Sequence, residues 1–234
     1  MAASAGVNGR GPAPVAVLGV GEFGVRTADF LVDVLTEGRG EEARRVADLA
    51  AAFQRPAALV ALAAWRPVAG ACELADQYAF RNGTAWLPVV LDHPVLRVGP
   101  LVQPPCAPCY RCFRRRQLQH DAEHRTTSLL HAAYEGDSGL GPRGYLPYQA
   151  RMAAALAADL AAAGMAAVGE VRELNLFDQR LHLSRVVPCH DCRRCGPGEG
   201  AGPVERIGPV LERLGRSPLA PTVPVPELAV GEER

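Results

Sequence analysis

The chain has 234 residues, enough for one sizeable α/β domain or one domain with a small appendage, and too few for two large ones. Its 25 basic and 25 acidic residues cancel to a formal charge of +0, which removes the long-range field that draws a protein onto nucleic acid or an anionic membrane. No apolar run approaches the ~20 residues of a membrane helix and no signal peptide opens the chain, so a cytoplasmic protein with neither nucleic-acid nor membrane partner is expected.

Residues 1–13 and 197–234 are rich in Gly, Pro and small or charged residues, which predicts a flexible arm and a mostly flexible tail around an ordered domain at 14–196. One short helix is expected within the tail, at 204–214. Residues 14–19 form an apolar run ending in glycine, and Val25, Phe30, Leu31, Val34 and Leu35 then recur at helical spacing, predicting a strand, a glycine-rich turn and a helix. A second helix is expected over 41–53. Residues 57–65 are apolar throughout and bracketed by Pro56 and Pro67, as a strand buried on both faces would be. A helix over 72–81, a turn at Asn82-Gly83 and a strand over 86–91 follow. This alternation predicts a parallel sheet with right-handed crossovers.

The second half changes character. A polar helix is predicted at about 114–133, a Gly-rich loop runs to Gly144, and an Ala-rich helix follows at about 148–163. Residues 169–177 and 181–187 then alternate apolar and polar side chains about Asp178-Gln179, the pattern of an antiparallel hairpin.

Gly19-Val20-Gly21-Glu22-Phe23-Gly24 reads G-x-G-x-x-G between a predicted strand and a predicted helix. Such a turn can bring backbone N–H groups to a phosphate, or can simply let strand and helix pack closely, and the pattern leaves both open. A dinucleotide site would also need an acid at the tip of a second strand about 20 residues on. Glu41, Glu42 and Asp48 are available there, but that stretch reads as loop and helix, so the ribose-holding group is missing or relocated.

Six of the seven cysteines fall in two clusters of matching spacing, Cys106/Cys109/Cys112 and Cys189/Cys192/Cys195. In a reducing compartment this reads as metal ligation before disulfides or catalytic thiols. Each C-x-x-C turn offers two thiolates to one tetrahedral Zn²⁺, and two turns close a structural Cys₄ site. The intervening loop of roughly 80 residues is tolerable because closure entropy grows only with the logarithm of length. Six thiols exceed what one zinc needs, so the ligand set is ambiguous. Gly196 beside the second knuckle, and Arg114, Arg115 and Arg116 beside the first, favour Cys109, Cys112, Cys192 and Cys195. Cys72 stands apart as a small core residue.

His120 and His124 stand i, i+4 on the predicted polar helix with His131 on nearly the same face, but interleaved charges favour a solvated surface over a metal site. The Arg111 to Arg116 run is basic enough to meet a phosphate or an acidic peptide, although such runs are usually solvated. No catalytic Ser/His/Asp set or carboxylate pair emerges.

The stretch from Trp86-Leu87-Pro88-Val89-Val90 through Val98-Gly99-Pro100-Leu101-Val102-Gln103-Pro104 to Pro108-Cys109-Tyr110-Arg111-Cys112-Phe113-Arg114 resembles the ThiF-like proteins of thiazole/oxazole-modified microcin clusters. There a strand leads to G-P-L-V-x-P, then C-x-x-C, then Arg. Residues 186–196, ending Cys192-Arg193-Arg194-Cys195-Gly196, resemble the second zinc knuckle of that family, which makes Cys106 and Cys189 the extras. With Gly19, Gly21 and Gly24 the resemblance spans about residues 14–196.

The resemblance implies a Rossmann-like ThiF-type α/β fold with a C-terminal antiparallel hairpin and a structural zinc. It also implies a place beside a YcaO-type cyclodehydratase that uses ATP to cyclise Cys, Ser or Thr of a precursor peptide. There the ThiF-like component binds the leader or activates its partner, and homodimers occur. Two departures stand out: residues 1–13 leave no room for the winged-helix leader-binding module of many members, and the Arg and Asp pattern of adenylating ThiF-like enzymes is not found. A non-catalytic scaffold with zinc and little ATP turnover is therefore the expectation. An adenylyltransferase acting on a peptide carboxylate is the alternative, and an oxidoreductase the weakest reading.

Overall fold

A computed structural model describes residues 13–196; the expected helix at 204–214, and nearly all of the expected arm and tail, lie outside them. The chain opens with β1 (Val15–Val20), which runs straight into α1 (Gly21–Asp33) and then a π turn over Val34–Gly38. β2 (Ala43–Arg45), α2 (Leu49–Gln54), β3 (Leu59–Ala64), α3 (Ala69–Asn82) and β4 (Ala85–Asp92) follow. After β5 (Val95–Val98) come α4 (Tyr110–His120), α5 (His124–Gly136), α6 (Pro147–Ala163) and a 3₁₀ turn over Gly164–Ala167. β6 (Glu170–Asn175) and β7 (Leu181–Arg185) complete the described chain.

All the strands join one sheet of order β2-β1-β3-β4-β5-β6-β7. The first four are parallel and the last three continue antiparallel from β4. The fold is thus mixed α/β, with the expected C-terminal hairpin built into the main sheet through β5. β3 is buried along its whole length, as its unbroken apolar sequence requires.

Strand periodicity sorts the core into two layers. Val15 and Val17 face α1 and α6 together with Leu31, Leu87, Val89 and Leu160. Ala16 and Leu18 face the opposite layer, with Val60, Leu62, Cys72, Trp86 and Tyr110. In α6, Ala150, Ala153, Ala154, Ala157 and Ala158 are all buried at i, i+3, i+4, i+7, i+8, so a small-residue stripe lets this helix approach α1 and the sheet closely. The helical stretch Pro147–Ala167 is long and apolar enough to cross a membrane, which the sequence reading did not foresee. In the structure its alanine stripe packs into the core.

Four expectations need correction. The helix after the glycine turn begins at Gly21, four residues early, and Val25 is exposed while Phe23 and Ala28 are buried in its place. The helix expected over 41–53 is a short strand followed by one and a half turns of helix. Ala-Arg-Arg pairs with β1 at the sheet edge, and Asp48 then caps α2 by accepting from the Ala51 N–H at 2.8 Å. β5 was not anticipated. Finally, the helix expected over 114–133 is two helices, broken where Asp121 Oδ1 accepts from the Glu123 N–H at 2.9 Å.

Candidate metal centre

Both cysteine clusters lie at the mouths of elements that the sheet positions. Cys109 is the N-cap residue of α4, so the first knuckle is the entry to that helix: the Cys112 N–H bonds the Cys109 carbonyl at 3.1 Å. The second knuckle follows β7, with the Cys192 N–H on the Cys189 carbonyl at 3.2 Å and the Gly196 N–H on the Cys192 carbonyl at 2.7 Å. A Cβ at position 196 would stand 2.4 Å from that carbonyl oxygen, which is why glycine follows Cys195.

The Sγ atoms of Cys109, Cys112, Cys192 and Cys195 lie within 4.8 Å of one another, and all four residues are buried. Cys109 Sγ is 3.8 Å from Cys112 Sγ and 3.5 Å from Cys192 Sγ, and Cys112 Sγ is 3.4 Å from Cys195 Sγ. Four thiolates at the usual Zn–S length occupy a tetrahedron with edges of about 3.8 Å, so both the donor set and its spacing suit one tetrahedral zinc. The bond shared by the first two sulfurs pushes the Cys109 thiol up and holds Cys112 down, the behaviour of thiols too crowded to ionise together without a cation. Cys106 is exposed and outside this group. Cys189 is buried against the group and contributes its main chain, donating N–H to Cys112 Sγ at 3.3 Å. Cys72 is a core residue whose thiol burial pushes up to about 12.

Residues that sequence reasoning missed tie the cluster to the sheet. Asp76 on α3 is fully buried; its Oδ1 accepts from Trp86 Nε1 at 3.0 Å and from the Tyr110 N–H at 3.1 Å. Its Oδ2 accepts from Arg194 of the second knuckle at 2.6 Å, and the other Nη of Arg194 reaches Glu73 at 2.9 Å. One carboxylate thereby orients the residue after Cys109 and the residue before Cys195. Burial pushes the Asp76 carboxyl above its ordinary value and these bonds pull it back. The signal was an acid on the buried stripe Cys72, Ala75, Asp76, Ala79 of an otherwise amphipathic helix.

The Arg111 to Arg116 run is likewise engaged. Arg111 pairs with Glu73, Arg115 grips Asp191 with two bonds of 2.7 and 3.1 Å, and Arg116 donates to the Val187 and Pro188 carbonyls. Arg115 and Arg116 therefore lock α4 onto the second knuckle, and Arg111 ties it to α3. His120 and His124 fall on separate helices, so the shared helical face expected for them does not exist. His131 is buried, and its Nδ1 accepts from Arg114 at 3.2 Å; burial first, then Arg114, hold its pKa below the ordinary value.

The glycine motif spans the β1–α1 junction, with Gly19 in β1 and Gly21 and Gly24 in α1. A Cβ on Gly19 would meet the Gly24 carbonyl at 2.5 Å, and one on Gly24 would meet the Ala63 carbonyl of β3 at 2.4 Å. Gly21 has φ +71°, and a Cβ there would lie 2.0 Å from Trp65 Cδ1. The indole at the end of β3 therefore stands against the first turn of α1. Arg66 holds the chain over it, lying on the Trp65 and Tyr134 rings and donating to the carbonyls of Tyr134, Asp137 and Leu140. The cavity left beside Gly21 is about 260 Å³, lined also by Glu22, Ser138 and Arg143. That is below the size of most small-molecule sites, and its lining carries one carboxylate, Glu22, and one guanidinium, Arg143. The acid that follows β2, Asp48, is engaged as a helix cap. The glycines permit close packing of strand, helix and indole.

No family model matches the sequence, and no curated protein matches it. Solved structures do. The heterocyclase TruD superposes with a TM-score of 0.57 at 20% identity, over 89% of this chain and 30% of that one. A heterocyclase in complex with substrate and cofactor gives 0.58 at 19%, over 79% of this chain and 25% of that one. MccB of E. coli with the peptide MccA gives 0.54 at 15%, over 79% and 67%. The chain thus spans less than a third of the heterocyclases it matches, and its structural neighbours, whose fold it shares, are heterocyclase and microcin C7 biosynthesis proteins.

Proposed function

We propose that this chain is a zinc-stapled, non-catalytic partner of a YcaO-type azoline-forming cyclodehydratase in the making of ribosomal peptide natural products, activating that enzyme and handling the leader of its precursor peptide in the cytoplasm. Cys109, Cys112, Cys192 and Cys195 hold the zinc, which fastens the end of the antiparallel half of the sheet to the start of α4. The observation that carries the reading is the indole against Gly21. MccB, which has this fold, has been solved with ATP, whereas here Trp65 stands against Gly21 and the cavity beside that turn is only about 260 Å³. A domain with so small a cavity at that turn contributes surfaces and rigidity in place of chemistry.

The test pairs two assays on the purified zinc-loaded chain. Azoline formation by a YcaO-type enzyme on its precursor should rise when the chain is added, and the chain alone should catalyse no exchange of pyrophosphate into ATP. Robust exchange would transfer the assignment to a peptide adenylyltransferase, and an unaltered cyclisation rate would remove the partner role.

A further inference from the structure

A cavity of about 780 Å³ lies away from the glycine turn. Its floor is one face of β5, β6 and β7, presenting Arg97, Glu173, His182 and Ser184, and its wall is α4 with Arg114 and Arg116. Along one side runs β7, the edge strand of the sheet among the described residues, with all five residues exposed. The bonds from the Asn175 N–H to the Arg180 carbonyl and from the Val186 N–H to the Gly169 carbonyl bracket the β6–β7 ladder. In an antiparallel pair the bonded positions alternate, so His182 and Ser184 bond β6, while the N–H and C=O groups of Leu181, Leu183 and Arg185 point outward. Edge strands are normally blunted by shortness, charge, proline or a bulge, and β7 has neither proline nor bulge and carries its one arginine, Arg185, at its end.

The groove is lined by both signs of charge, Asp92, Asp121 and Glu173 with Arg97, Arg114, Arg116 and Arg185. Asp92 and Glu173 both bind Arg97, at 3.3 and 2.8 Å. Arg114 and Arg116 are bonded to glutamine, imidazole and carbonyl groups, with no carboxylate partner among the described residues. On the opposite face of β7, Leu181 and Leu183 stand 43% and 56% exposed.

We propose that β7 and this groove are a docking site for an extended, acidic segment of the peptide substrate, added to the sheet as an eighth strand. Outward main-chain groups of β7 supply the hydrogen bonds, acidic side chains of the segment face Arg114 and Arg116, and alternate apolar ones cover Leu181 and Leu183. The inference rests on the proposed function only for the source of the peptide.

The probe is a fluorescein-labelled peptide of alternating Glu and Val, with a Lys/Val peptide as its counterpart, titrated by anisotropy against the full zinc-loaded chain. The Glu/Val peptide should bind, and the Lys/Val peptide at least about tenfold more weakly. Leu183→Pro removes one outward N–H and leaves the β6 ladder intact, so it should weaken binding about tenfold with the melting temperature unchanged. Ser184→Glu places a carboxylate on the groove floor and should narrow the preference between the two peptides. Absence of binding, equal binding of both peptides, or indifference to Leu183→Pro would overturn the proposal. So would self-association abolished by Leu183→Pro, which would assign the edge to a second copy of the chain. Binding is read without the YcaO-type enzyme, so loss of this site and loss of the partner role are separate results.

Discussion

Replacing Asp76 with alanine is expected to loosen the sulfur cluster without touching a sulfur. The substitution leaves the Trp86 indole N–H, the Tyr110 N–H and the Arg194 guanidinium facing a small void, where each now meets a carboxylate oxygen at 2.6–3.1 Å. Removing one partner of a buried ion pair costs about 3–5 kcal/mol. Arg194 keeps Glu73 at 2.9 Å, and its side chain retains 13% exposure, so the lower end of that range, about 3 kcal/mol, applies. At roughly 2–4 °C per kcal/mol for a domain of this size, the melting temperature should fall by about 6–12 °C. Asp76→Asn keeps the shape and one acceptor oxygen, and should cost about 1–2 kcal/mol. Melting of the zinc-loaded protein followed by circular dichroism, with the rate of zinc loss to a chelator measured alongside, reads both effects. An alanine variant that melts within about 2 °C of the parent and releases zinc no faster would refute the claim that this carboxylate ties both knuckles to the sheet.

Gly21→Ala combines a positive φ with a Cβ inside the Trp65 ring and should destabilise by about 2–4 kcal/mol, while in a Trp65→Ala background the clash disappears and the cost should fall to about 1 kcal/mol; additive effects in that double-mutant cycle would mean that indole and glycine do not pack. His131 has its folded pKa depressed, so the stability it supports is fully present above its unfolded value near 6.5 and is lost as pH falls through the lower folded value. Denaturant midpoints should therefore drop between about pH 7 and pH 5, and His131→Gln should flatten that slope; an unchanged slope contradicts the assignment. Cys106→Ser and Cys189→Ser should each leave metal content unaltered, because Cys106 is outside the cluster and Cys189 acts through its main-chain N–H. Loss of metal from either would redraw the ligand set.

The parallel half of the sheet was legible because its strands are apolar runs and α1 carries a periodic stripe, signals that local sequence holds in full. β2 escaped because it is three residues, Ala-Arg-Arg, at an edge where only β1 pairs with it, so no burial marks it. The α4–α5 break escaped because it uses an Asp side chain and neither glycine nor proline. That the two cysteine clusters meet could be read from their matching spacing, but spacing left six thiols for one ion, and Gly196, the arginines after Cys112 and the family resemblance singled out four of them. Asp76 and Arg194 could not be paired, because they are 118 residues apart and their partnership depends on how α3 packs under the second knuckle. Trp65 was expected as the last residue of a strand that in fact stops at Ala64, and it was not legible as the neighbour of Gly21, a contact that only the parallel β1–β3 register brings about.

The claim on which the rest depends is that two remote thiol pairs share one ion. Mass-spectrometric metal analysis of the chain purified from zinc-replete cells should return one zinc per chain, falling to near zero in Cys109→Ser and in Cys192→Ser. A metal-free parent that melts cooperatively at the same temperature with and without added zinc would contradict it.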